Sequence, residues 1–374
     1  MNFGFSDSQI LLREQVLRFL NEKAALPANR LIMANPQGFD QDLWQEMAAL
    51  GWLGLLVDEQ YGGVGLSWVD FLVLLEEIGR VLHPSPLIEH VLASYAVQQW
   101  ASLLQKQKYL PTLAQGSQIA TLAIVADPSL PTIDRLGIVA ETYHSEKNSD
   151  FLLRGEKAFI AHPDASHLLL TAFQDDGGQY YLALIDKSAP GLKWEQTLIV
   201  DQSKPVGRFL FDQVRVSSDQ IIAVDGRALQ KLIDCTTLAM TAELIGSCER
   251  ALEITVNYAN QREQFGSLIG RYQGVKHRLA EMYVDIESFK SLVYYAVWCV
   301  DEAEAELARF VSLAKGYAAK VVAAIGIDSI QLHGAIGFTA EYDIQLYFKR
   351  SKWARVMYGD SDFHFERVAS LGDS

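Results

Sequence analysis

The chain of 374 residues is 49% hydrophobic and 21% charged, a globular balance with material for two or three domains. Its formal net charge of −14 excludes a general nucleic-acid surface, because phosphate repels acidic protein faces. Cys235, Cys248 and Cys299 stand far apart with no CxxC between them, so buried free thiols are expected rather than a metal centre or a disulfide framework.

Residues 1–8 carry neither the basic nor the apolar region of a secretory signal. No apolar run reaches the roughly 18 residues that a membrane span needs, so a soluble cytoplasmic protein without membrane insertion is expected.

From Asp7 to about Gly116 the pattern is helical. Ser6 or Asp7 caps a first helix whose Ile10, Leu11, Val16, Leu17 and Leu20 make a wide apolar stripe. Pro27 and Pro36 are expected to break the next stretch, before a helix from Asp40 through Trp44 and Met47. Gly62-Gly63-Val64-Gly65 resembles a dinucleotide-binding loop, but Trp68 fills its third glycine position and no βαβ series follows. It is read as a structural turn ahead of a helix over 68–80. Further helices are expected over 88–99 and 101–114. His83 and His90 have no ligand at metal spacing and are assigned surface or capping roles.

Over 117–222 the period changes to that of strands, expected at 121–126, 151–153, 158–161, 167–173, 180–186, 192–200 and 207–216. Turn residues such as Asp176-Gly177-Gly178 and Ala189-Pro190-Gly191 separate them. From Arg227 the chain is helical again, with helices expected over 228–261, 272–300, 301–330 and 344–357, lengths that imply a bundle. The fold class is therefore α+β, with an N-terminal helical domain (1–116), a middle β-barrel-like domain (117–222) and a C-terminal four-helix bundle (223–374).

Between the first two long C-terminal helices lies Arg262-Glu263-Gln264-Phe265-Gly266, with Gln273 beyond it. A guanidinium suits phosphate and an aromatic ring suits a nucleotide base, although a water-facing helical hairpin has the same composition.

This order of segments resembles the acyl-CoA dehydrogenase family over essentially the whole chain. The residues that carry the resemblance include Glu59 to Ser67, Arg154-Gly155-Glu156-Lys157-Ala158-Phe159-Ile160-Ala161, Ala189-Pro190-Gly191-Leu192, Phe211 to Val216 and Leu244-Ile245-Gly246. Its most specific parts are Arg262 to Gly266 with Gln273, and Gln331-Leu332-His333-Gly334-Ala335-Ile336-Gly337-Phe338. The resemblance implies α,β-dehydrogenation of an acyl-CoA thioester. A carboxylate takes the α proton and FAD takes the β hydrogen as hydride. It also implies a tetramer, with electron-transfer flavoprotein as acceptor. In such an assembly Arg262, Gln264, Phe265, Gln273, Gln331, Gly334 and Ala335 hold the adenosine diphosphate half of a neighbour's FAD.

The other half of the site departs from the family. A TEPxAGSD loop is replaced by Val125-Ala126-Asp127-Pro128-Ser129-Leu130-Pro131. The tryptophan and hydroxyl beside the flavin are Phe159, which still offers a ring to stack, and Ala161, whose side chain has no hydrogen-bonding group. Neither usual base position holds a carboxylate: one falls on Tyr358 or Gly359, the other on Thr236-Thr237. The candidate replacements are Asp234, Glu243 and Asp360. Glu243 lies about two turns beyond the second position, roughly 10 Å along the helix. It is read first as a structural carboxylate with a basic partner and second as a displaced base.

Residues that serve a neighbour's FAD are thus kept while those that hold ring and substrate are altered, as in one subunit of heteromeric acyl-CoA dehydrogenases. A partner subunit is the leading expectation. The alternatives are a self-sufficient homomeric enzyme with a relocated base, and a non-catalytic acyl-CoA or assembly protein that keeps only the fold.

Overall fold

A computed structural model describes residues 4–35, 37–144 and 149–372. In chain order its helices are α1 (Asp7–Lys23), α2 (Leu26–Ala34), α3 (Gln41–Ala49), α4 (Trp68–Val81), α5 (Leu87–Trp100) and α6 (Leu103–Ala114). Eight strands follow: β1 (Ala120–Ala123), β2 (Ile138–His144), β3 (Ser149–Ala161), β4 (Leu168–Gln174), β5 (Tyr180–Asp186), β6 (Leu192–Thr197), β7 (Val206–Val216) and β8 (Ile221–Val224). After α7 (Gly226–Ala259) come the two-residue strands β9 (Glu263–Gln264) and β10 (Ser267–Leu268). The last helices are α8 (Gln273–Glu302), α9 (Glu304–His333), α10 (Ile344–Val356) and α11 (Ser361–Gly372). Two compact units emerge: the segments up to Asn29, Trp68–His83 and from Thr237 onward form one, and Arg30–Ser67 with Pro84–Thr236 forms the other.

In the first unit, Ser6 caps α1 through a capping box with Gln9. Val16 and Leu20 of α1 are buried, and Arg13 reaches Glu76 and Glu77 of α4 in a partly buried ion-pair cluster. The backbones of α4 and α7 touch where Gly79 and Gly246 lack a side chain. A Cβ on Gly79 would lie 1.9 Å from the Glu243 carbonyl oxygen, and one on Gly246 would lie 1.8 Å from that of Glu76. The small residues of α9, among them Ala314, Ala318, Ala319 and Gly326, are buried where α10 and α11 pack on it. By length and composition the span Glu304–Phe338 meets the test for a membrane helix, yet 67% of its most apolar window is buried inside the protein, as in a core helix. The helix α11 lies beyond the four that the apolar periodicity predicts.

In the second unit, β6-β7-β3-β2-β4-β5-β8 form one sheet, with β1 added in parallel beside β4. Phe151, Phe173, Phe209 and Phe211 anchor the core on one face of it. The segments expected at 151–153 and 158–161 are one strand. Gly155, at φ 134°, kinks it where a Cβ would meet the Gly137 carbonyl oxygen at 2.1 Å. Pro27 does not break its segment but sits in the first turn of α2, where a missing N–H costs nothing; Pro36 lies outside the described residues. The glycine turn at 62–65 folds back on 54–57 through Gly65 N to Val57 O (2.8 Å) and Val64 N to Gly54 O (3.0 Å). His83 and His90, assigned above to surface or caps, are both buried. His90 Nε2 donates to Leu113 O (2.9 Å) while Nδ1 accepts from Ala120 N (3.2 Å). In the other unit His83 Nδ1 lies 2.9 Å from Asn29 Oδ1.

Candidate functional site

The polar turn after α7 is a miniature hairpin. The backbone N–H groups of Gln261 and Arg262 donate to the Tyr258 carbonyl (3.0 and 2.9 Å), which closes the end of the helix. Glu263 and Gln264 then pair with Ser267 and Leu268 across Phe265 (φ 52°) and Gly266 (φ 78°). Two successive left-handed residues suit the twist of a two-residue hairpin, but such a backbone is costly for a bulky aromatic. The turn is held by Ile269 N donating to Arg262 O (2.8 Å) and by the Tyr272 hydroxyl donating to Gln264 O (2.9 Å). It presents Arg262, Gln264 and Phe265 to solvent, the Phe265 ring 96% exposed. Gln273 opens α8, whose N-cap, Tyr272, makes no side-chain cap bond.

Gln331, Gly334 and Ala335 are exposed at the end of α9. Gly334 (φ 65°) turns the chain into a 3-10 turn over Gly334–Phe338. The first unit therefore offers an exposed guanidinium, three amide side chains, an aromatic face and an uncapped helix N-terminus. Such a donor set fits a nucleotide diphosphate and its base.

In the second unit Phe159 is half-buried at φ 55°, in a stretch where the register between β3 and β7 shifts. Two residues earlier, the fully buried Lys157 donates through Nζ to Ile124 O (2.5 Å) and Ala172 O (2.7 Å), and burial holds its pKa well below the usual lysine value. Thr121 Oγ1 donates to Ala161 O (2.7 Å), so a hydroxyl meets the backbone at this position while the side chain of Ala161 offers none. The aromatic ring expected at 159 is present, and a side-chain donor at 161 is not.

The carboxylates fall into different environments. Glu243 is fully buried and accepts from Arg350 Nη1 at 2.9 Å, with Arg350 equally buried. Asp234 is 2% exposed and accepts from Gln230 Nε2 at 3.2 Å on its own helix. Asp360 is exposed, and its Oδ1 accepts from Phe363 N (3.0 Å) in the first turn of α11. At the two usual base positions, Thr236 Oγ1 donates to Leu232 O (2.7 Å), and Tyr358 (φ 58°) and Gly359 (φ 89°) form a tight turn. His364 Nε2 lies 2.7 Å from Tyr358 O, and a Cβ on Gly359 would stand 2.8 Å from that nitrogen.

Sequence reasoning names His333 only as part of the motif at 331–338 and gives no role to Tyr258 or Tyr272. Their contribution is a carbonyl, a ring contact and a hydroxyl bond across the turn, none of which a pattern of residue types displays.

Two family models match: "Acyl-CoA dehydrogenase, N-terminal domain" over residues 6–117 and "Acyl-CoA dehydrogenase, C-terminal domain" over 226–371. Acyl-CoA dehydrogenase IpdE2 of Mycobacterium tuberculosis is 31% identical over 91% of this chain and 90% of its own length. The IpdE2 protein of Mycolicibacterium smegmatis is 29% identical over 95% of both chains. Among solved structures, a variant of the steroid ACAD Tcur3481-Tcur3483 aligns with a TM-score of 0.87 at 28% identity over 98% of both chains. A glutaryl-coenzyme A dehydrogenase in complex with glutaryl-CoA has the same fold, with a TM-score of 0.91 at 24% identity over 100% of this chain and 98% of that one. The chain belongs to the acyl-CoA dehydrogenase family of FAD-dependent oxidoreductases.

Proposed function

We propose that this chain is a partner subunit in α,β-dehydrogenation of an acyl-CoA thioester, lending the adenosine diphosphate half of an FAD site to a homologous chain. The observation that carries this reading is Phe265, a 96% exposed ring fixed in a left-handed backbone by its own hairpin. Backbone strain combined with an uncovered aromatic is retained where a bound group covers the ring.

FAD, when bound, supplies the hydride acceptor for the β hydrogen. Arg262 would neutralise its phosphates, Phe265 would pack against its adenine, and Gln273, Gln331 and the backbone at Gly334 and Ala335 would fix its orientation. The base and most of the isoalloxazine contacts would come from the other chain. Glu243 is engaged by Arg350, Asp360 caps α11, and Ala161 has no side-chain donor. Phe159 keeps a stacking surface. The double name of the similar steroid ACAD supports an assembly of two different chains, and electron-transfer flavoprotein is the acceptor that fits the family.

A self-sufficient homomer is the second reading. Asp234 favours it, as a nearly buried carboxylate two residues before Thr236.

The test is expression of the chain alone and together with homologous candidate subunits, measuring FAD per chain and oxidation of a panel of acyl-CoA thioesters that includes steroid side-chain substrates. The expected result is little flavin alone, and flavin with activity in a mixed assembly. A yellow, active assembly of this chain by itself would overturn the partner reading. Loss of that activity in Asp234→Asn would then identify the base.

A further inference from the structure

The two turns assigned to one FAD leave from different helices. The turn Arg262–Leu268 follows α7, and Gly334–Phe338 follows α9. A ring-bearing residue at the end of each helix meets the other across the gap. Tyr258, whose carbonyl takes the N–H groups of Gln261 and Arg262, stacks on His333 with ring centroids 4.4 Å apart and planes at 28°. His333 is the last residue of α9 and immediately precedes Gly334. Tyr342 packs against the same imidazole at 5.1 Å and 57°.

The imidazole is fixed from several sides. Its Nδ1 lies 2.6 Å from the Ser329 carbonyl one helical turn earlier, so Nδ1 carries the proton and donates, and Nε2 is left as an acceptor. That Nε2 is buried without a hydrogen-bond partner among the described residues, and His333 as a whole is 3% exposed. Gly337 folds back over the ring's stem: a Cβ there would lie 3.0 Å from the His333 Cβ and 3.2 Å from the Ile330 carbonyl oxygen. Burial also holds the His333 pKa below its usual value, which keeps the ring neutral.

We infer that His333 and Tyr258 are positioning residues: their stack sets the distance between the Arg262–Phe265 hairpin and the Gln331–Ala335 turn, so that both meet one dinucleotide. This inference rests on the proposed function for the identity of the ligand, but the mechanical link between the turns does not depend on it. An aliphatic residue at 333 would fill volume without a flat face. Phenylalanine would keep the face and lose only the bond to Ser329.

The test compares wild type with His333→Ala, His333→Phe and Tyr258→Phe in the full chain, by millisecond hydrogen exchange on peptides that cover 260–272. Thermal unfolding checks that each variant is folded. In His333→Ala the exchange of the hairpin amides is expected to rise about 3- to 10-fold, the range of one aromatic pair, while amides in the middle of α8 are unchanged. His333→Phe and Tyr258→Phe, which keep two flat faces in the stack, are expected to retain most of the protection. A folded His333→Ala with wild-type exchange over 260–272 overturns the inference, as does a His333→Phe variant as loose as the alanine variant. Titration with ADP, with Arg262→Ala beside wild type, reads the ligand separately. If Arg262→Ala leaves ADP binding unaltered while His333→Ala loosens the hairpin, the link stands and the assignment of the dinucleotide fails.

Discussion

Arg350 on α10 donates to Glu243 on α7 at 2.9 Å, and neither side chain has measurable exposure. Two opposite charges withdrawn from water face each other, and removing one takes from the other its buried counter-charge. Glu243→Gln is therefore expected to lower the unfolding free energy by about 3–5 kcal/mol. A double replacement by apolar residues, Glu243→Met with Arg350→Met, is expected to recover much of that loss. Urea unfolding measures both. If Glu243 were also the catalytic base, the double replacement would recover stability without recovering turnover.

Phe265 gives the opposite pattern. Its ring is exposed and makes no core contact, so Phe265→Ala should change the unfolding free energy by no more than about 0.5 kcal/mol. On the proposed function, the same change in a flavin-loaded assembly would remove an aromatic face from the nucleotide. Retention of FAD is expected to weaken about tenfold, within the range for one stacked ring. Equal flavin retention in the two assemblies would separate Phe265 from the cofactor.

How far these features were legible depends on the distance over which they act. The period of the long helices located α7 to α10 within a few residues, because each buries a continuous stripe. The strand β2 was missed although Ile138 and Ala140 are buried between the exposed Val139 and Glu141, an alternation in plain view once a strand is sought. Gly155 looked like a break because a glycine kink and a turn have the same local composition. At the site, residue types pointed to Arg262 and Phe265. That a buried carboxylate at 243 needs a cation follows from electrostatics, but nothing local designates Arg350, 107 positions away. The stacking of Tyr258 on His333 is equally non-local.

His90 supplies a pH dependence whose sign is fixed by its surroundings. Burial lowers its pKa to about 4, and the hydrogen bond to Leu113 O only partly opposes this. The unfolded chain binds the proton near pH 6.5, so this group stabilises the fold above that pH and the contribution is lost as pH falls toward 4. Glu77 in the other unit, raised by burial to about 7, works in the reverse direction, so the absolute slope of stability mixes the two. The cost of His90→Gln isolates the histidine. That cost is expected to shrink by about 2 kcal/mol between pH 7 and pH 5, at ~1.4 kcal/mol per pH unit below 6.5. A cost that stays constant would mean that His90 is not held neutral.

The contact between α4 and α7 makes the sharpest stability prediction. Gly79 has the carbonyl oxygen of Glu243 where its Cβ would be, at 1.9 Å, and Ser247 Oγ donates to the Gly79 carbonyl at 3.0 Å. On helix propensity alone Gly79→Ala should gain about 1 kcal/mol. A backbone oxygen cannot rotate away as a flexible side chain can, so the two helices must separate, which also weakens the Ser247 bond. We expect a net loss of about 3 kcal/mol, at the upper end for overpacked cores. Gly274→Ala is the control. Among the described residues, apart from its chain neighbours and its own helix backbone, no atom lies within 4 Å of its Cβ position near the start of α8, so it should be neutral or gain up to about 1 kcal/mol. Urea midpoints of the two variants decide the matter: equal stabilities would mean that the helices do not meet at Gly79.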